Sequence, residues 1–435
     1  MSEKPRPPAA AAGVGAGAPS FVPPVGKPTM GAHAMGIGAM VAGLDYFAGY
    51  PITPQTELLE YVAEALPEQG GVFQQLGDEI SSVMAVFGAA ACGKRAMTAS
   101  VGPGLTLMID GLTNAAGAET PMVLGALTRA HVGVSGGLYP AQSDIRMLRG
   151  LGNGDYQLPL FAPSTITETV QLTAEAFDVA DLYSIPAVVC IDGKMANMIE
   201  TLQPFEVPER DLPDKSWALD RSLREKRRVV GAARTPELDT MVCYEIQHKL
   251  ERMRAEETRW DSYRCDDAEF VVVAYGIMAR IAKEAVRNAR EEGIKVGLFR
   301  PITLFPFPEA PLAELASSAR EVLTVEINFG QVLTDVRLAV AGRCPVQFFG
   351  QPALAIPARA VLEAIRQMAA GQPVEPRGFH DVHPTAFHLA DTHPPARKQM
   401  LDQLAARRGH EGGQAMLDNL LGIRKNTVIP EVGRD

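Results

Sequence analysis

Four short stretches hold the residue types that could do chemistry. They are Tyr50-Pro51-Ile52-Thr53-Pro54, Asp78-Glu79, Ser100-Val101-Gly102-Pro103-Gly104 and Arg129. They supply a carboxylate, a hydroxyl, two Gly/Pro-rich turns and a guanidinium. Each stands where a strand-forming run gives way to a helix or a loop. In an α/β sheet those junctions are where cofactors and substrates bind.

Glu79 opens a run of small residues that ends Gly88-Ala89-Ala90-Ala91. One reading is a carboxylate favoured by the positive end of a helix. The other is a general acid beside a flat group, since such a helix can pack closely. Thiamine enzymes need that acid: a carboxyl group protonates ring nitrogen 1′ of the aminopyrimidine and so helps carbon 2 of the thiazolium to lose its proton. Thr53 lies between two prolines that offer no amide hydrogen. It is either a turn or N-cap hydroxyl or a donor to a substrate carboxylate. Arg129 follows an apolar strand and opens a glycine-rich loop. It suits two-point binding of a small carboxylate, or a salt bridge to Asp144. Ser100 to Gly104 could form an anion-binding nest, but no P-loop lysine accompanies it. No Ser/His/Asp or Cys/His arrangement and no G-x-G-x-x-G fingerprint is present.

Strand and helix signals alternate around these positions. Helices are expected at 31–43, 56–66, 79–91, 105–116 and 168–183. Strands are expected at 45–48, 72–76, 95–99, 122–127, 158–161 and 187–191. Thr165 and Glu168 have the spacing of a capping box. The pattern resumes near Asp267, with strands at 270–274, 296–299, 322–326 and 346–349 and helices at 279–291, 310–316 and 331–339. The chain therefore reads as α/β, with parallel sheets covered by helices on both faces. The expected limits are a disordered or partner-draped arm at 1–30, a first domain at 31–203, a charged linker at 204–266, a second domain at 267–369 and an extension at 370–435. The extension holds His380, His383, His388 and His393. Prolines interrupt them and no HExxH pair exists, so a tail lying on a neighbouring subunit is expected over a metal site. The basic run at 221–228 reads as a solvated face.

The 435 residues carry a net charge of -10, and 6% are aromatic. That balance argues against nucleic acid or an anionic membrane as partner. No apolar run reaches the roughly 18 residues of a membrane helix. The five cysteines include no C-x-x-C pair, so a cluster or zinc held by this chain alone is not expected. Such usage points to a reducing compartment and a cytoplasmic enzyme.

Several longer strings contain these residues: GYPITPQTE (49–57), DEISSVMAVFGAAACGKRAMT (78–98), GPGLTLMIDG (102–111), YPAQSD (139–144), AFDVADLYSIPAVVCIDG (176–193), VGLFRPITLFPFPE (296–309) and VEINFGQVLTDVRLAVAG (325–342). In this order they resemble the α subunits of 2-oxoacid:ferredoxin oxidoreductases, the branched-chain (2-oxoisovalerate) ones in particular. The resemblance covers roughly 31–203 and 267–366. It implies a thiamine-enzyme pyrimidine-binding domain followed by a transketolase C-terminal-like domain. It implies Glu79 on the aminopyrimidine, Thr53 and Arg129 on the substrate carboxylate, and Ile52 and Ser100 beside the cofactor. It also implies that thiamine diphosphate is shared with a β subunit. Mg²⁺ and [4Fe-4S] clusters would sit on β, γ and δ partners, and the chain would be inactive alone. The reaction implied is coenzyme A-dependent oxidative decarboxylation of a 2-oxoacid, with ferredoxin or NAD as acceptor. Two departures fall where substrate selection could occur. Ala32-His33 stands in place of Asn-Glu, and Ala130-His131-Val132 in place of Gly-Gly-Pro. They leave an arylglyoxylate or 2-oxoglutarate enzyme as alternatives. A non-redox thiamine lyase and a non-catalytic scaffold subunit are the rivals from other classes.

Overall fold

The computed structural model describes residues 21–129, 141–150, 152–219, 235–352 and 356–374. The four tail histidines, the basic run at 221–228 and the first 20 residues of the expected arm lie outside them. Strand β1 (Pro28–Met30) leads into α1 (Gly31–Val41), β2 (Tyr46–Gly49), α2 (Thr56–Glu68), β3 (Val72–Gln75), α3 (Glu79–Ala91), β4 (Ala96–Ser100) and α4 (Gly102–Gly117). Next come β5 (Val123–Thr128), α5 (Ile145–Leu148), β6 (Leu160–Phe161), α6 (Ile166–Tyr183), β7 (Ala187–Asp192), α7 (Gly193–Asn197) and β8 (Ile199–Thr201).

These strands build a seven-stranded sheet in the order β12-β6-β7-β5-β4-β2-β3, where β12 is Thr303–Phe305. All pairs in it are parallel except β12 with β6. Central strands β4, β5 and β7 are buried along their whole length. Helices on both faces explain why these runs are apolar at every position instead of alternating. Helix α1 is made of small residues because it lies tightly against α6. A Cβ at Gly38 would strike the backbone carbonyl of Val170.

The second sheet has five strands in the order β14-β13-β10-β11-β9. Its elements are α8 (Pro236–Glu256), β9 (Trp260–Tyr263), β10 (Phe270–Val273), α9 (Gly276–Glu291), β11 (Val296–Pro301), α10 (Glu309–Ser318), β13 (Glu321–Glu326), α11 (Leu333–Val340), β14 (Val346–Gly350) and α12 (Ala358–Ala369). Its pairs are parallel except for the edge strand β9.

Three findings differ from the sequence reading. The segment expected as a linker holds the 21-residue helix α8 and the strand β9. Helix α8 is charged and mostly exposed, so it lacks the apolar stripe that marks a packed helix. Strand β12 crosses over to the first sheet, so one sequence segment supplies strands to both sheets. The capping box forms only in part. Thr165 Oγ1 accepts the Glu168 N–H at 3.1 Å, but the Glu168 carboxylate turns to the Ser164 N–H at 2.7 Å and to Arg300 at 2.5 Å.

Candidate cofactor and substrate site

Strand order fixes where a site can form. From β2 the chain goes outward to β3, then returns to lay β4 on the other side of β2. Connections therefore leave in opposite directions between β2 and β4, and a crevice opens there. The register widens it: β2 and β4 pair only through Tyr46↔Ala96 and Phe47↔Met97, then diverge. Thr53, Glu79, Ser100 and Arg129 follow or end β2, β3, β4 and β5, four neighbouring strands. Residues 53, 79, 100 and 129 thus share one edge of the sheet.

Glu79 is the first residue of α3. Asp78 caps that helix, accepting the Ser81 N–H at 2.6 Å. This bond holds the Asp78 carboxyl below the usual carboxylate range. Asp78 thus takes the capping role, and Glu79 is left to point elsewhere. It is 5% exposed, with Ser100 Oγ 3.5 Å from its Oε1. A Cβ at Gly104 would collide with both Ser100 Oγ and Glu79 Oε1. The GPG sequence is therefore a cradle for this carboxylate. Helix α4 begins at Gly102, three residues before the expected start. Few donors remain for the nest reading of 100–104. Pro103 has no amide hydrogen, and Gly104 N–H is engaged with Val101 O at 2.8 Å.

Thr53 is exposed and does not cap α2, whose N-cap is Gln55. Its carbonyl accepts Nη1 of Arg129 at 2.7 Å. The structure therefore brings together two residues 76 apart in sequence. The expected alternative, an Arg129–Asp144 side-chain salt bridge, does not form. The Arg129 guanidinium is engaged with the Thr53 carbonyl instead. Ile52 is half-buried against the core beside this turn. Gln55, one turn on, is fully buried, and neither amide atom has a partner among the described residues.

Behind Arg129 the buried Asp192 and the partly buried Asp144 form an acidic pair that the sequence reading missed. Register sets Thr128 beside Asp192 and Ala126 beside Cys190. Burial pushes Asp192 up to about 6, against the pull of its bonds from Met195 and Lys194 N–H. Burial also pushes Asp144 up to about 6, against the Arg129 N–H and charge. The Cys190 thiol is pushed up by burial and then by both carboxylates. Asp144 and Asp192 stand in the strings YPAQSD and CIDG, but only the fold shows that they converge.

These residues fit one end of thiamine diphosphate. A buried carboxylate with a hydroxyl partner and a glycine cradle suits an aminopyrimidine. Helices α3 and α4 present Ile80, Met84 and Leu107 to solvent nearby, each 43–50% exposed. The diphosphate end has no matching donor set: among the described residues no group of three or more His, Cys, Asp or Glu could hold a metal ion. A cavity of about 580 Å³ lies at the far ends of these helices, between Ala91, Trp217 and Arg252, and does not include Glu79.

Comparison with known proteins bears on this site directly. Residues 37–260 match the thiamine-diphosphate-binding region of pyruvate flavodoxin/ferredoxin oxidoreductases, and 268–353 match core domain II of pyruvate:ferredoxin oxidoreductase. The ketoisovalerate oxidoreductase subunit VorB of Methanothermobacter thermautotrophicus is 41% identical over 336 residues, covering 77% of this chain and 95% of that protein. The chain belongs to the pyruvate:ferredoxin oxidoreductase family. Its relatives in the family include the 2-oxoglutarate synthase subunit KorA of Methanocaldococcus jannaschii, 34% identical over 330 residues, covering 70% of this chain and 89% of that protein. The solved 2-oxoglutarate:ferredoxin oxidoreductase of Magnetococcus marinus superposes with a TM-score of 0.71 at 23% identity, covering 79% of this chain and 65% of that one. That likeness shows the fold. Family membership makes this a 2-oxoacid oxidoreductase subunit with a thiamine-diphosphate-binding region. Among the described residues no helix is long and apolar enough to cross a membrane.

Proposed function

We propose that the chain is the α subunit of an enzyme that converts a 2-oxoacid and coenzyme A to acyl-CoA and CO₂. The observation that supports this best is the placement of Glu79, Ser100, Thr53 and Arg129 along one crevice of the sheet. Thiamine diphosphate, when bound, supplies the acidic carbon that adds to the 2-oxo group. This chain supplies a proton and a grip. Glu79 holds and moves the proton at ring nitrogen 1′. Ser100 Oγ orients the Glu79 carboxyl through their 3.5 Å contact. Arg129 and Thr53 bind the substrate carboxylate, and Ile52 walls the crevice beside them. A β partner covers the apolar α3–α4 face around Ile80 and Met84 and holds the diphosphate with Mg²⁺. Electrons leave through [4Fe-4S] clusters on γ and δ chains to ferredoxin. The domain limits 31–203 and 267–369 belong to the same proposal.

A branched-chain 2-oxoacid is the favoured substrate class, since the ketoisovalerate relative reaches 41% identity. The 34% identical KorA relative supports 2-oxoglutarate as the second reading. The test is purification from the native source, mass spectrometry of the co-purifying chains, and a 2-oxoacid panel assayed with coenzyme A and ferredoxin. Acyl-CoA formation that requires an electron acceptor and is fastest with 2-oxoisovalerate is expected. Turnover of 2-oxoacids without any acceptor would return the chain to the non-redox thiamine enzymes.

A further inference from the structure

A second cavity, of about 530 Å³, opens where the two α/β units meet, and it includes none of Thr53, Glu79, Ser100 and Arg129. The first unit lines it with the start of α6 and with β8, the second with α9, β9 and β11. Its wall is polar almost throughout: Ala279 and Leu298 are the apolar side chains among the described lining residues. Three cations line it, Arg280, Lys283 and Arg300, all from the second unit. Two of them are answered by carboxylates of the first unit. Arg280 pairs with Glu200, and Arg300 Nη2 donates to Glu168 Oε1 at 2.5 Å. Lys283 is left over. Its ammonium lies 4.9 Å from the centroid of the Tyr263 ring and has no hydrogen bond or ion pair among the described residues.

Other groups on this wall also keep bonding capacity. Thr165 Oγ1 accepts the Glu168 N–H at 3.1 Å, and Thr167 Oγ1 accepts the Gln203 N–H at 3.0 Å. Each hydroxyl therefore keeps its own hydrogen to donate. Both stand at the first turn of the 18-residue helix α6, an end that favours anions. Glu200 shows that an anionic oxygen fits there, since its Oε2 accepts the Ile166 N–H at 3.2 Å. The Thr201 hydroxyl makes no hydrogen bond among the described residues; its carbonyl accepts Gln203 Nε2 at 3.0 Å. On the acceptor side Asp261 is open. Register sets it beside Arg300, yet it forms no ion pair among the described residues.

We propose that this cavity binds a phosphorylated sugar, either free or as the ribose phosphate of a nucleotide. The phosphate takes Lys283 and the Thr165 and Thr167 hydroxyls, a cation and two donors at a helix start. Sugar hydroxyls donate as well as accept. They take Asp261 and Thr201, as a carboxylate takes the ribose in dinucleotide sites. A cavity of about 530 Å³ is of ordinary size for a small molecule. An apolar acyl group is the wrong occupant, because it would leave Lys283 and Asp261 without partners. The ligand touches both units, so it ties the first sheet to the second. None of these residues belongs to the crevice, and the site is independent of which 2-oxoacid is turned over there.

The test uses the assembled enzyme with thiamine diphosphate and coenzyme A in excess, so that their own sites are filled. Ribose 5-phosphate, ADP and inorganic phosphate are titrated by calorimetry at low ionic strength. Saturable binding of at least one of the two sugar phosphates is expected, with a rise in Tm. Lys283→Glu should weaken it at least about tenfold, the scale of one charge-assisted hydrogen bond. Thr167→Val should weaken it less. Asp261→Asn should weaken the sugar phosphates severalfold and leave inorganic phosphate unchanged. Ribose 5-phosphate bound as tightly as ADP identifies a free sugar phosphate as the ligand, and binding of ADP alone identifies a nucleotide. If Lys283→Glu does not assemble, Lys283→Gln and Thr167→Val carry the same comparison. No saturable binding of either sugar phosphate at millimolar concentration overturns the proposal. So does binding that the Lys283 and Thr167 variants leave unaltered. Inorganic phosphate bound as tightly as the sugar phosphates, with Asp261→Asn silent, overturns it as well, because the sugar would then have no part in recognition.

Discussion

At the carboxyl edge of the seven-stranded sheet, Glu79 and Arg129 have few partners among the described residues. At the corresponding edge of the five-stranded sheet, Glu326 and Asn328 are fully engaged. Glu79 has Ser100 at 3.5 Å as its hydrogen-bond partner, and Arg129 uses one guanidinium nitrogen on Thr53 O. By contrast, Glu326 at the end of β13 accepts from Val332 N at 3.0 Å, Leu333 N at 2.8 Å, Asn328 Nδ2 at 2.8 Å and Tyr275 Oη at 3.4 Å. Asn328 Oδ1 takes Gly330 N at 2.6 Å and Gln331 N at 3.1 Å. Both edges are built from the same βα junctions. One leaves its groups free to bind something else, whereas the other uses them to close its own turns. Burial still pushes the Glu326 carboxyl up, as it does the neighbouring Tyr275 hydroxyl. A perturbed titration by itself therefore does not mark the reactive edge, and open bonding capacity is the better guide.

The sharpest way to break this contrast is Glu79→Gln. An amide cannot deliver the proton to ring nitrogen 1′, so turnover should fall by at least about 10²-fold with the fold intact. Deuterium exchange at the thiazolium carbon in the assembled enzyme reports the step directly. Unchanged exchange would remove Glu79 from the chemistry and leave the scaffold reading standing.

Arg129→Lys comes next. Lysine keeps the charge but loses the planar fork. The loss is one charge-assisted bond, on the order of 1.5–3 kcal/mol, or roughly tenfold to a hundredfold in kcat/KM for the 2-oxoacid. Cofactor affinity should hold. A drop in Tm with normal kinetics of the folded fraction would make Arg129 a structural residue like those of the second sheet.

Glu326→Gln tests the other edge. It places a donor against the N–H groups of Val332 and Leu333 and should cost about 1–3 kcal/mol in denaturant unfolding. The KM for the 2-oxoacid should rise no more than the stability loss explains. A selective loss of kcat would show that the saturated edge also takes part in the reaction.

The smallest effect separates buried acids of the first sheet from ordinary ones. Asp192 is pushed to about 6, above the ordinary carboxylate value of 3.8. The fold therefore binds this proton more tightly than the unfolded chain does. Its cost is full above pH 6 and is relieved as pH falls toward 4. Relative to Asp192→Asn, the wild-type chain should gain about 1 kcal/mol per pH unit at most over that window. Urea unfolding of the two proteins between pH 4 and 7 measures it, and parallel curves would place Asp192 in a wetter setting.

Much of the molecule is legible in one dimension. Apolar runs such as VLGALT and AVVCID, bounded by Gly/Pro turns, announce buried parallel strands because both of their faces must be covered. The small-residue run of α1 announces close helix packing, which Gly38 against Val170 realises. Thr53, Glu79, Ser100 and Arg129 could be singled out because junction position and residue type are both local. Helix α8, with its charged faces, gave no periodic signal, and the short strand β12 could not reveal that it pairs with β6 in the other sheet.

What the sequence by itself determined is the alternation of elements and the chemical type of each junction residue, since propensity, period and turn chemistry act over a few residues. Tertiary structure alone decided which junctions meet. Strand order put β2 beside β4 and opened the crevice there. Packing turned Arg129 toward the Thr53 carbonyl instead of the Asp144 carboxylate. Asp144, Cys190 and Asp192 came together behind it, and Gln142 was seated on Tyr275 and Ile327 from more than 130 residues away. These are long-range contacts whose free energy depends on burial and on competing partners, and no local pattern encodes either one.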